Sequence, residues 1–190
     1  MKMPTPATEF KPLSAGTHIA SCFQVIDLGT QTDSYEGRET TRRKVWLGFE
    51  VAGETMSDGR NFVIGKEYTF SSSPKSTFRK HLEAWRGAPF QDSDFQGDDA
   101  FDIKNLLGVG CMLSVTHNAN GRAVLGGIMK LPAGTESGAP ERTIYLTLEG
   151  EYDHEVYEGL QGWMQERIAQ SPEFQALGVA AGGSSTEAPF

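Results

Sequence analysis

The sequence predicts a mainly β protein with one helix between its third and fourth strands and another helix near its C-terminus. Three observations lead to this fold class. Residues 44–51, KVWLGFEV, alternate with the period of two that marks a half-buried strand. Residues 109–132 hold two apolar runs around Asn120-Gly121, a strong hairpin signal. Residues 78–85 change to helical spacing, with apolar residues at i, i+4 and i+7.

Composition places the chain among globular proteins. It has 190 residues, of which 38% are hydrophobic and 22% are charged, enough to bury a core. No stretch reaches the roughly 18 apolar residues of a membrane span, and the N-terminus lacks the apolar block of a signal peptide, so no membrane association is expected. Cys22 and Cys111 lie in apolar runs, which predicts buried thiols in a reducing compartment.

The first half of the chain predicts three strands. Residues 13–28 form a long apolar run that predicts a first strand, bent or bulged along its length. Residues 29–43 are polar, end in basic residues and predict a loop before the strand at 44–51. A third strand is expected over residues 62–72, and residues 1–12 are Pro-rich and predict a flexible N-terminus.

The first helix is expected to begin at Ser73, with Pro74 as its first helical residue, and to end at Gly87. Residues 90–108 predict an acidic connection that ends in a short apolar helix. Trp85 lies on the apolar stripe of the first helix, which predicts that this ring belongs to the core.

The C-terminal part predicts a short strand in residues 143–150 and a helix over residues 153–170. The apolar side of that helix would consist of Val156, Leu160, Trp163, Met164 and Ile168. Residues 13–170 are therefore expected to form one domain with a C-terminal helical extension. Residues 171–190 end in small and polar residues that predict a flexible tail.

The order strand, strand, strand, helix, strand, strand is the layout of the OB-fold, a five-stranded, partly open β-barrel. With the runs KVWLGFEV, KEYTFS, FRKHLEAWRG and LLGVGCMLSVTH, residues 13–132 resemble bacteriophage OB-fold proteins that bind single-stranded DNA. The resemblance implies an OB-fold-like domain and single-stranded DNA as partner. It also implies a role in phage replication or recombination, in the cytoplasm of the infected bacterium.

The last residues carry a second resemblance. Bacterial single-stranded-DNA-binding proteins end in a flexible acidic tail closed by Pro-Phe, and this chain ends in Pro189-Phe190. The resemblance implies that these two residues dock replication or recombination proteins. The chain departs from the family pattern because Glu187 is the one charged side chain in its last dozen residues, whereas the family tail is densely acidic.

Charge is distributed unevenly along the chain. The net charge is −8, but residues 1–89 have a net charge of +2 and residues 90–190 a net charge of −10. An anionic partner is therefore expected to meet the first half, while the second half repels it.

Single-stranded nucleic acid is bound by basic grooves that carry aromatic rings for base stacking. Two predicted strands and the first helix supply such residues: Arg42, Arg43, Lys44, Trp46, Lys66, Tyr68, Lys75 and Arg79. In the alternative interpretation Trp46 covers the edge of the core and Tyr68 packs inside it. Lys75 and Arg79 would then belong to a solvated helix surface.

Other kinds of site have little support. The acidic loop at residues 92–103 departs from a calcium-binding loop because Ile103 stands where a bidentate Glu is required. No phosphate-binding loop or paired metal ligands occur, and the carboxylates of residues 149–155 suit the first turn of a helix. We therefore predict no enzymatic activity, cofactor or metal.

The alternative function is a non-nucleic-acid interaction module, a small β-barrel that binds a protein or carbohydrate partner. Such a site would not need the basic residues 42–44.

Overall fold

The computed structural model describes residues 12–178. These residues form six strands: β1 (Gly16–Tyr35), β2 (Arg38–Thr55), β3 (Asn61–Thr69), β4 (Gly110–His117), β5 (Ala123–Met129) and β6 (Ile144–Leu146). The helices are α1 (Thr77–Arg86), α2 (His154–Glu158), α3 (Gly162–Ala169) and α4 (Pro172–Ala176), with 3₁₀ turns at Asp92–Phe95 and Ile103–Leu106. The mainly β class and the helix between the third and fourth strands are confirmed.

The strands form one sheet in the order β3-β2-β1-β4-β5, with neighbours antiparallel, and β6 pairs in parallel with β1. Among the described residues no backbone pairing joins β3 to β5, so these two strands remain the edges of the sheet. A side chain crosses the gap between them, since Lys66 Nζ lies 3.0 Å from the carbonyl oxygen of Leu125.

The hairpin of β1 and β2 is longer than the sequence predicts. The expected loop at residues 29–43 is paired strand, and the chain turns at Glu36-Gly37, where both residues have positive φ. The Oγ1 atoms of Thr32 and Thr41 lie 2.9 Å apart across the two strands. β-Branched threonines favour extended backbone even where neither face is apolar, so the ribbon continues beyond the apolar strand pattern.

The main core lies on the inner face of β2, where Val45, Leu47, Phe49 and Val51 are buried as their alternation predicts. Helix α1 packs on this core. Trp85 belongs to it as expected, and its indole N–H donates to the carbonyl oxygen of Gly110 at 2.8 Å.

Helix α1 begins later than predicted. Ser76, rather than Ser73, is its N-cap, and the Ser76 hydroxyl accepts from the Arg79 N–H at 3.1 Å. Pro74 lies in the preceding turn. The helix ends at Gly87 as expected, because glycine adopts the left-handed φ of 74° at low cost.

In the C-terminal layer, defined as β6 with α2, α3 and α4, β6 pairs with β1 within the sheet. Helices α3 and α4 cover the outer face of β1 and part of that of β2. The single helix predicted over residues 153–170 is two helices, separated at residues 159–161. Gly159 ends α2, and Leu160 enters a second core. That core consists of Ile26, Leu28, Leu146, Leu148, Leu160, Met164, Ile168 and Phe174.

The ordered chain extends past the predicted boundary at residue 170. Ser171 caps α4 by accepting from the Phe174 N–H at 3.2 Å, and the Phe174 ring is buried. A buried aromatic anchor explains why this segment packs, although its neighbours are small and polar. None of the described helices has the length and apolar character needed to span a bilayer.

Candidate functional site

Trp46 lies on the outer face of β2, as the alternation predicts, but the C-terminal layer covers part of it. Its ring packs edge-on against Trp163 of α3, with ring centroids 4.9 Å apart and an interplanar angle of 69°. Gly65, on the neighbouring strand, makes room for the Trp46 ring, because a Cβ there would collide with it. The more open ring of the pair is Trp163, which is 40% exposed.

Lys44 belongs to an ion-pair network on the same outer face. Its Nζ lies 2.7 Å from Asp33 and 3.5 Å from Glu67, and Arg167 of α3 contacts the same two carboxylates at 3.2 and 2.9 Å. The hydrogen bond from Lys44 lowers the pKa of the Asp33 carboxyl. Lys44 is therefore engaged in holding β1, β2 and β3 to α3.

Arg43 is also neutralised within the protein. Its guanidinium pairs with Asp27 and with Glu149, and the hydrogen bonds that it donates to Asp27 raise the pKa of Arg43. Asp27 also accepts from the backbone N–H groups of Gly29 and Leu148, at 2.9 and 3.2 Å. Arg43 thus links the segment after β6 to the β1–β2 hairpin.

Arg79 does not lie on a solvated helix surface. Its side chain is 7% exposed and lies over the Phe95 ring at 5.1 Å. It donates to Glu83 at 2.9 Å and to the carbonyl oxygens of Ser72 and Phe90 at 2.8 and 2.6 Å. These partners occupy the guanidinium, so its role is to join α1 to the flanking loops.

Tyr68 belongs to the core, as the alternative interpretation holds. Its strand partner is Val45, whose side chain is on the inner face, and Tyr68 is 3% exposed. The phenol oxygen lies 2.9 Å from His81 Nδ1, and burial raises the pKa of Tyr68 while it lowers that of His81. Tyr68 therefore does not offer an open face for stacking.

Three of the predicted cations have no ion-pair partner within residues 12–178: Arg42, Lys66 and Lys75. Arg42 and Lys75 are exposed, whereas Lys66 is half-buried at the gap between β3 and β5, 5.8 Å from the Tyr68 ring. All three line one cavity of about 550 Å³, the basic cavity. Its walls also carry the side chains of Thr69, Ser71, Ser73, Ser76 and Thr77.

A second cavity, the tryptophan cavity, lies farther along β3 and has a volume of about 390 Å³. Gly48 and Gly65 are strand partners on the outer face, so no Cβ rises from this part of the sheet. The remaining lining residues are Phe23, Gln24, Trp46, Val63, Ile64, Ala123, Gln161, Trp163 and Met164.

A third cavity, of about 540 Å³, continues past Val63 and Ile64 to the β4–β5 turn, where Arg122 is exposed. The three cavities follow β3 in sequence order, and we call them together the β3 groove. Because β3 has nine residues and a strand rises about 3.3 Å per residue, the strand that borders these cavities is about 30 Å long.

Sequence reasoning missed Trp163, Gln24 and Arg122. Trp163 was assigned to the apolar side of a helix, yet the buried residues of α3 are Met164 and Ile168. These two are spaced i and i+4, so the residue before Met164 lies off the buried stripe, and this signal was available in the sequence. Nothing in the local sequence indicates that Gln24 and Arg122 line the same groove.

Within the described part of the chain, no group of three or more His, Cys, Asp or Glu side chains could hold a metal ion. The predicted docking residues Pro189 and Phe190 lie outside the described residues. Comparison with protein-family models gave no matching family, and comparison with curated proteins gave no matching relative.

Proposed function

We propose that this protein binds single-stranded DNA along the β3 groove, without strong sequence preference. The observation that carries the proposal is the arrangement of side chains along the groove. Arg42, Lys66 and Lys75 lie at one end, Arg122 lies at the other, and the exposed ring of Trp163 lies between them. Cations that follow the backbone and rings that stack on bases are the two elements of single-strand recognition.

The division between paired and unpaired cations supports this choice of surface. Arg43, Lys44 and Arg79 already have carboxylate partners, and phosphate would have to displace them. Arg42, Lys66, Lys75 and Arg122 have no such partner in the described residues, so a phosphate could approach them without breaking an ion pair.

The sheet topology is compatible with an OB-fold, and we propose that the domain is a partly open barrel of this type. The five-strand order β3-β2-β1-β4-β5 would close between β3 and β5, where the Lys66 side chain already bridges the gap. The β3 groove would then lie along the open seam of the barrel.

By resemblance to the phage proteins, the biological role would be to coat single strands during phage replication or recombination in the host cytoplasm. Pro189 and Phe190 would recruit a replication or recombination protein. No enzymatic step is part of this proposal.

The test is tryptophan fluorescence during titration with a dT oligomer of about 30 nucleotides, at low salt and again at high salt. We expect saturable quenching, because a base that stacks on Trp163 alters its emission. With four phosphate contacts, the logarithm of affinity should fall with the logarithm of salt concentration with a slope of about −3. Unchanged fluorescence and unchanged oligomer mobility at low salt would refute the proposal.

A protein or carbohydrate partner is the second candidate, and one observation favours it. The middle of the groove is apolar, with Val63 51% exposed beside Trp163, and exposed apolar surface often marks an interface. The Lys66→Ala and Lys75→Ala variants distinguish the two candidates: both should weaken DNA binding, whereas a partner held by the apolar part of the groove should tolerate them.

A further inference from the structure

Gln24 lies at the floor of the tryptophan cavity. It is 7% exposed, and its strand partner is Gly48, so its side chain is on the outer face of the sheet. A Cβ at Gly48 would meet Gln24 Oε1 at 3.0 Å and the Phe23 ring at 3.0 Å. The absence of a side chain at position 48 therefore lets the Gln24 amide lie close to the strand backbone.

Half of this buried amide is unused. Its nitrogen Nε2 lies 4.0 Å from Met164 Sδ, and no hydrogen bond within the described part of the chain reaches its oxygen Oε1. Buried amide oxygens normally have a partner. Every fully enclosed side-chain nitrogen and oxygen among the described residues has one, so Oε1 is not fully enclosed, and Gln24 lines the tryptophan cavity.

The nitrogen is the end of the amide that faces Met164. A thioether sulfur is a weak acceptor, so it suits the NH₂ group better than the carbonyl oxygen. The Gln24 oxygen is therefore a hydrogen-bond acceptor without a donor. The cavity that Gln24 lines also contains the exposed ring of Trp163. A flat ligand with an amino group at its edge would complement both features.

We propose that Gln24 Oε1 accepts a hydrogen bond from the exocyclic amino group of a cytosine or adenine held in the tryptophan cavity. The inference rests on the proposed function and adds a base preference at one position of the groove. Cytosine presents an amino donor at position 4 and adenine one at position 6, whereas thymine presents a carbonyl acceptor at position 4. With thymine in the place of cytosine, its O4 would face Gln24 Oε1 and neither acceptor would have a donor, so thymine binds less well than cytosine.

The test compares fluorescently labelled dC12 and dT12 by anisotropy at low salt. The two oligomers have the same length, charge and ring size. Their bases differ in the amino or keto group at position 4, in N3, which carries a hydrogen in thymine, and in the 5-methyl group of thymine. We expect the wild-type protein to bind dC12 about threefold to tenfold more tightly, the range expected for one hydrogen bond. The Gln24→Met variant, of similar size but without the amide, should bring the ratio of the two affinities close to one.

Two controls make the result specific. Gln96→Met removes an exposed amide that lines none of the three cavities, and it should keep the wild-type ratio. An oligomer of twelve 2-pyrimidinone nucleotides, which is cytosine without its amino group, removes the donor from the ligand and leaves the protein intact. It should bind the wild type more weakly than dC12, and equal binding of the two oligomers would overturn the proposal even if Gln24→Met does not fold.

Equal affinities for dC12 and dT12, tighter binding of dT12, or a ratio retained in Gln24→Met would overturn the role of Gln24 while leaving single-strand binding intact. Failure of both oligomers to bind at low salt would instead refute the proposed function.

Discussion

Both faces of the β1–β2 hairpin are buried around Val25 and Ile26, but different parts of the chain bury them. Val25 faces the main core, which strands and helix α1 of the first 130 residues complete. Ile26, the next residue, faces the second core, which requires Met164 and Ile168 from more than 130 residues later. Alternation along a strand predicts two faces, and it cannot show that a distant segment covers the second one.

This difference decides which cations remain available. The C-terminal layer brings Arg167 into the network of Lys44, and Glu149 from the same part of the chain pairs with Arg43. The strand residues that looked suited to bind phosphate therefore hold the layer in place. The cations proposed to bind DNA have no carboxylate partner among the described residues, and they lie on β2, on β3, before α1 and in the β4–β5 turn.

The largest effect is expected from Ile168→Ala in the second core. Ile168 is fully buried, so the cavity left behind should lower the free energy of unfolding by about 2–5 kcal/mol. Leu113→Ala in the main core should cost a similar amount and provides the matched control. Urea unfolding followed by circular dichroism and by tryptophan fluorescence measures both.

The two core variants should also differ in whether the fluorescence and circular dichroism transitions coincide. Ile168→Ala loosens α3, so the Trp46–Trp163 pair should separate at lower urea than the sheet unfolds. Leu113→Ala should shift both signals together. If Ile168→Ala left both transitions at their wild-type midpoints, the C-terminal layer would contribute nothing to stability.

Trp163→Ala should affect binding more than stability. Stacking on one aromatic ring is worth about 1–3 kcal/mol, so affinity for a dT oligomer should fall about fivefold to 150-fold. Phe70→Ala is the control, because Phe70 is 44% exposed and lines none of the cavities of the β3 groove. Anisotropy titration with a labelled oligomer gives both affinities; equal losses in the two variants would remove Trp163 from the site.

Lys75→Ala should produce a smaller change that appears mainly in the salt dependence. Loss of one phosphate contact should reduce the slope of log affinity against log salt by about 0.7. Lys104→Ala removes an exposed cation that lies over the Tyr145 ring and lines none of the cavities of the β3 groove, so its slope should equal that of the wild type. A wild-type slope in Lys75→Ala would show that the basic cavity does not carry the DNA backbone.

The inner face of the molecule was predictable because its signals are local. The buried residues of β2, the helical period of α1, the Gly87 stop and the Asn120-Gly121 hairpin each depend on a few neighbouring residues. Arg42 before the second strand, Lys66 beside Tyr68 and Lys75 near the start of the helix are predicted from the sequence, and the structure brings them to one cavity.

The remaining candidates depended on contacts that no local pattern contains. Arg79 is buried because carbonyl oxygens of the flanking loops converge on it, and Tyr68 is buried because its strand partner is Val45. Trp163 reaches Trp46 because α3 folds back over β2. Each of these roles depends on which residues the tertiary fold brings together, which composition and spacing alone do not determine.

The smallest effect on stability is expected when low pH protonates the carboxylates that hold the C-terminal layer. Lys44 lowers the pKa of Asp33. Burial raises the pKa of Glu173, but its hydrogen bonds with Thr30 outweigh burial and leave that pKa below its usual value. Carboxyls whose pKa is lower in the folded state stabilise it above their unfolded pKa, and this stabilisation is lost as pH falls below about 4.

Asp33→Asn isolates one of these contacts. The substitution should lower the free energy of unfolding at pH 7 by about 1 kcal/mol or less, since the carboxylate is partly exposed. The difference from the wild type should then shrink as pH falls from 5 to 3, because protonation of Asp33 removes the same ion pairs in the wild type. Urea unfolding of both proteins at several pH values measures this difference. If the difference in free energy of unfolding stayed constant down to pH 3, Asp33 would act by packing and not by charge. The apolar second core alone would then hold the C-terminal layer on the outer face of the sheet.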